Sequence, residues 1–64
     1  MIEVDIKYIN NWDTILLTKD QYYELLHATK LNKPWFVYDN HLSKATQAIN
    51  LSNVLHWRVG TEKD

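Results

Sequence analysis

At 64 residues the chain has room for one domain, near the size at which a single core only just offsets the entropy of ordering the chain. It has no cysteine, which excludes disulfide staples and thiolate zinc sites, and its formal charge of −1 supplies no overall field for nucleic acid or an anionic membrane. An apolar content of 45%, an aromatic content of 12%, and only one glycine and one proline argue for a folded chain, so oligomerisation or a partner is the support left to it.

In chain order, Ile2, Val4, Ile6 and Tyr8 alternate with Glu3, Asp5 and Lys7, the pattern of a strand with one buried and one wet face. No apolar run reaches the length of a membrane span, and the opening Met1–Asp5 lacks the basic-then-apolar layout of a signal peptide, so a cytoplasmic location is expected. Asn10-Asn11-Trp12-Asp13 reads as a turn that reverses the chain, and Thr14–Leu17 as the returning strand, with Ile15 and Leu17 on one face and Leu16 on the other.

The helix signal is the strongest local one. Thr18 and Gln21 have the spacing of a capping box, and Leu17 precedes the cap where it can staple against Tyr22. Tyr22, Leu25, Leu26 and Thr29 form the stripe expected to lie on the sheet; Tyr23 and Glu24 point away. Asp20 near the start and His27 and Lys30 near the end complement the helix dipole. Asn32 suits a left-handed position after the last turn, and Pro34 keeps Lys33 from continuing the helix, which is predicted over Lys19–Leu31.

Trp35-Phe36-Val37-Tyr38 is apolar on both faces of a strand. One helix covers only one face, so such a strand implies a sheet that curls on itself or is closed by another subunit. Asp39-Asn40 makes a turn. From His41 to Ala48 two patterns compete: a short helix capped by Ser43, and a strand on which Ala45, Gln47, Ile49 and Leu51 share a face. The strand is favoured because a hairpin gives Trp35–Tyr38 an immediate partner. Ser52-Asn53 reads as a short turn or a single 3₁₀ turn, and Leu55, Trp57 and Val59 alternate with His56 and Arg58 in the last strand. Gly60–Asp64 is a polar tail.

Three chemistries compete with a plain packing role for these residues. His27, His41 and His56 lie far apart, none with a second ligand at metal-binding spacing, so no metal and no cofactor is expected. Ser43, Ser52 and the threonines lack a glycine-flanked nucleophile turn, and with Gly60 as the only glycine there is no phosphate-cradling loop; catalysis and a small-molecule substrate are not expected. Trp35, Phe36 and Tyr38 beside Lys33, with Trp57 and Arg58 on another strand, are the residue types of a stacking platform for single-stranded nucleic acid, but the cations are dispersed and form no stripe.

Ile49-Asn50-Leu51-Ser52-Asn53-Val54, followed by alternating residues to the end, resembles the tails of small uncharacterised proteins of bacteriophages and prophages of low-GC Gram-positive bacteria. The resemblance covers the last quarter of the chain. It implies an accessory protein that binds a host or phage factor, in the host cytoplasm, and supplies no site residues.

The expectation is a single α+β domain: a small antiparallel sheet of four to five strands with one helix, in the order β-β-α-β-β-β, curled or completed by self-association. Its function is expected to be that of a non-catalytic interaction module with a protein partner, itself or both, nucleic acid being the second choice and a membrane not expected. The candidate partner-binding residues are Trp12 in the first turn, Tyr23 on the outer helix face, and Trp35 or Tyr38, which point to opposite sides of their strand, with His56 and Arg58 on the second sheet face.

Overall fold

A computed structural model describes residues 1–62, with the side chains of Thr61 and Glu62 outside that description. β1 (Ile2–Lys7) buries Ile2, Val4 and Ile6 and turns Glu3, Asp5 and Lys7 to the other face, as its alternation dictates. Residues 8–11 reverse the chain, the Tyr8 N–H donating to the Asn11 carbonyl at 2.8 Å. β2 (Trp12–Leu17) then pairs antiparallel with β1 along its whole length, from Lys7 opposite Trp12 to Ile2 opposite Leu17. Trp12 and Asp13, expected in the turn, belong to the strand.

α1 (Lys19–Lys30) begins at the capping box: the Gln21 N–H donates to Thr18 Oγ1 at 3.1 Å and the Thr18 N–H to Gln21 Oε1 at 2.9 Å. It ends in a Schellman motif. Asn32 takes the left-handed conformation at φ 54°, its N–H donates to the Thr29 carbonyl, and the Lys33 N–H donates to the Ala28 carbonyl at 2.9 Å. Leu25 and Ala28 are the buried helix residues, with Tyr22 and Leu26 half-buried. Thr29, expected in the apolar stripe, is exposed, and its hydroxyl donates to the Leu25 carbonyl at 2.9 Å. Three residues past Leu25 fall on the same face as four past it, and the site goes to the small apolar Ala28.

β3 (Trp35–Asp39) and β4 (Thr46–Asn50) form an antiparallel hairpin. Asn40 organises the connection by accepting the N–H groups of Leu42 and Ser43 on its Oδ1. The strand favoured for the uncertain segment is therefore present, starting at Thr46. A 3₁₀ turn at Leu51–Asn53, capped by Asn50, leads to β5 (His56–Glu62), which pairs antiparallel with the free side of β1. Gly60–Glu62, expected in a polar tail, are part of this strand; Lys63 and Asp64 lie outside the described residues.

The order of elements is that expected, but the five strands divide into a three-stranded sheet β2-β1-β5 and the two-stranded hairpin β3-β4, and no barrel closes. β5 neighbours β1, not β3, because that register sets Trp57 opposite Ile6 and Val59 opposite Val4, on the apolar side of the sheet. Helix and hairpin share the covering of that side. Phe36, Tyr38 and Ile49 of the hairpin join Ile2, Val4, Ile6, Ile15, Leu17 and Leu25 in one cluster, with Tyr8, Tyr22, Leu51, Val54 and Trp57 packed against it. Burying a side chain such as Leu17 or Leu25 contributes about 1.5–3 kcal/mol. Leu55, expected in the last strand with Trp57 and Val59, lies just ahead of β5 and is 62% exposed.

Two surfaces and the residues that reach them

Tyr38 is not on the second sheet face where it was expected but inside the core. β3 alternates as expected, but Phe36 and Tyr38 are its inward pair; Tyr38 is 5% exposed, its ring stacked on Phe36 with centroids 5.4 Å apart. Its hydroxyl donates to Gln47 Oε1 at 2.8 Å, which gives the polar end of the ring a partner at the rim of the core. It therefore does not share an open face with Arg58. Either face of this strand is apolar enough to be buried; the inward one carries the rings that fill the space beside Ile6 and Leu25.

The outward pair is Trp35, 53% exposed, and Val37, 55% exposed. Ala48 lies opposite Val37 on β4 and extends this face. Between β3 and the outer side of α1 runs a shallow groove of about 520 Å³, bordered by Tyr23, Glu24, His27, Lys33, Trp35 and Val37. Tyr23, pointing away from the core as the helix periodicity required, is 54% exposed and stands on the helix wall of this groove. Two of the expected partner-binding residues, Tyr23 and Trp35, thus meet in space.

Trp12, His56 and Arg58 meet on a different surface, the solvent side of the three-stranded sheet. Lys7 is opposite Trp12 on one side and His56 on the other; in the next row Asp5 is opposite Thr14 and Arg58. The Arg58 guanidinium lies 4.8 Å from the centre of the Trp12 ring and the Lys7 ammonium 5.2 Å from it, and His56 meets the same ring edge-on at 6.2 Å. Asp5 accepts from Arg58 Nε at 3.3 Å and from Thr14 Oγ1 at 2.9 Å. Lys7 belongs to this group although no spacing in the sequence singled it out; its place on the polar side of β1 was the available signal.

A second depression, about 480 Å³, lies between the end of α1 and the start of β5, where Trp57 Nε1 donates to Thr29 Oγ1 at 3.3 Å. Trp57 meets Tyr22 edge-on at 6.1 Å and is half-buried, so it is not part of an open stacking platform. Among the described residues no three His, Asp or Glu side chains come together as a metal site, and no helix is long and apolar enough to cross a membrane.

Burial raises the pKa of the Tyr8 and Tyr38 phenols above the ordinary value of about 10. The Asp13 carboxylate pushes both the same way, while the Asn40 hydrogen bond opposes the shift at Tyr38. The folded chain holds these protons to higher pH than the unfolded chain. Their stabilisation is complete below the unfolded value and is lost as pH rises through the folded values. The urea midpoint is expected to fall above about pH 10, and less steeply when Tyr8 and Tyr38 are both replaced by Phe. Equal slopes would contradict this assignment.

No protein-family model, curated protein or solved structure matches the chain.

Proposed function

We propose that the protein is a non-catalytic interaction module that self-associates, and that it binds a protein partner through the outer face of the β3–β4 hairpin and the groove beside it. The observation that carries this is the two-sided use of β3: Phe36 and Tyr38 complete the core, and Trp35 and Val37 still stand more than half exposed next to Tyr23. Aromatic side chains at the centre of an apolar patch with a polar rim are the usual anchors of protein interfaces. Glu24, His27 and Lys33 supply that rim. The resemblance of the C-terminal quarter to phage-type tails makes a host or phage protein the partner under this proposal.

The test is affinity capture from a low-GC Gram-positive lysate with the wild type and with the Trp35→Ser, Val37→Ser double variant. A discrete protein held by the wild type and lost with the variant is expected. Equal retention by both would contradict the assignment of the surface.

The alternative, single-stranded nucleic acid, is favoured by one observation: Lys7, His56 and Arg58 converge on Trp12 on an open sheet face. Against it, the Trp12 ring already lies under the Arg58 guanidinium, and the other expected stacking residues are divided between the core and the hairpin. Salt-sensitive binding of single-stranded DNA, lost in Trp12→Ala, would favour it over the protein partner.

A further inference from the structure

We infer that β4 is the self-association strand, pairing antiparallel with β4 of a second copy about a two-fold axis at Ala48, so that the two hairpins become one four-stranded sheet. This rests on the proposal that the chain self-associates and adds where the second copy docks.

The open sheet edges differ in how they are protected, and an unprotected edge is a template for another strand. On β2 the outward N–H of Thr14 is taken by the carboxylate of Asp13 at 2.9 Å. On β3 the outward carbonyl of Asp39 accepts from Gln21 Nε2 of α1 at 2.9 Å. β5 carries Arg58 and a register irregularity opposite Ile2 and Val4, near Gly60. β4, Thr46-Gln47-Ala48-Ile49-Asn50, has no charge, proline or irregularity in its pairing.

The hydrogen-bond phase shows which groups of β4 are offered. The Asn40 N–H donates to the Ala45 carbonyl, so the antiparallel alternation directs the backbone of Gln47 and Ile49 to β3 and that of Thr46, Ala48 and Asn50 outward. No group among the described residues bonds the outward N–H and C=O of Ala48.

A second copy fits this edge for three reasons. Pairing about Ala48 brings the outward groups of each Ala48 onto those of the other, with the smallest side chain of the strand at the axis. The same register sets Thr46 opposite Asn50 at both ends, polar against polar. The neutral strand offers no charge to select an oppositely charged foreign segment, whereas a second copy extends both hairpins at once, past the two strands that are marginal alone. The outer row then runs Val37, Ala48 and their counterparts, joining the two apolar faces.

The test uses Ala48→Lys and Ala48→Glu, which alter an exposed side chain at the axis, with mass measured by sedimentation equilibrium and folding checked by circular dichroism. Each variant alone is expected to stay folded with its association weakened up to about fivefold by like charges directly opposed, and an equimolar mixture is expected to recover the association of the wild type. In the wild type, amide exchange at Ala48 is expected to slow as protein concentration rises; this readout needs no variant. If both variants dimerise as the wild type does, or Ala48 exchanges freely within a dimer, the edge pairing is overturned while self-association through another surface stands. A wild type that is monomeric at every concentration removes both.

Discussion

Leu25→Ala is expected to leave the chain largely unfolded without denaturant. Leu25 is fully buried and faces both the three-stranded sheet and the hairpin from the helix. Truncating such a residue costs about 2–5 kcal/mol, transfer and cavity terms together. A domain of this size has a total stability on the order of 3–10 kcal/mol, so one truncation removes a large share of it. A urea titration followed by far-UV circular dichroism, at fixed protein concentration because association feeds into apparent stability, should show the folded baseline shortened or absent. An unchanged midpoint would mean that the helix is not seated on this core.

Phe36→Ala carries the second large effect, about 3–5 kcal/mol. Phe36 stacks on Tyr38 inside the cluster that also holds Ile6 and Leu25, so the hairpin is part of the core rather than an appendage to it. The expected result is one cooperative transition at lower urea, with amide protection lost together in β1 and β3. Loss of protection confined to Trp35–Asn50, with β1 and β2 as protected as before, would show the hairpin to be a separate unit.

Local chemistry made much of this fold legible in advance. The alternation of Ile2, Val4 and Ile6 with charged residues allowed one orientation of β1, and Thr18, Gln21, Asn32 and Pro34 bounded the helix because caps and stops act within a few residues. The orientation of β3 was not legible, since both of its faces are apolar and the choice depends on which rings fill the space over Ile6 and Leu25. Nor was the neighbour of β5. Its pairing with β1 joins residues about fifty or more positions apart, Asp5 and Arg58 among them, and no local signal encodes that register.

The candidate surfaces divide the same way. Tyr23 and Trp35 were identifiable as outward residues from helix and strand periodicity, but their meeting across one groove is tertiary. Trp12, His56 and Arg58 were picked out as residue types suited to an interface. That they converge with Lys7 follows from β1 lying between β2 and β5. Tyr38 was misplaced because both faces of β3 are apolar and alternation alone does not say which is inward; it lies inward with Phe36, and Gln47 satisfies its hydroxyl at the edge of the core.

Self-association is the claim on which the proposed role most depends, and light scattering of the wild type across a concentration series tests it directly. A mass rising to twice 7.7 kDa as concentration increases is the predicted result. A mass that stays at 7.7 kDa at every concentration would contradict it.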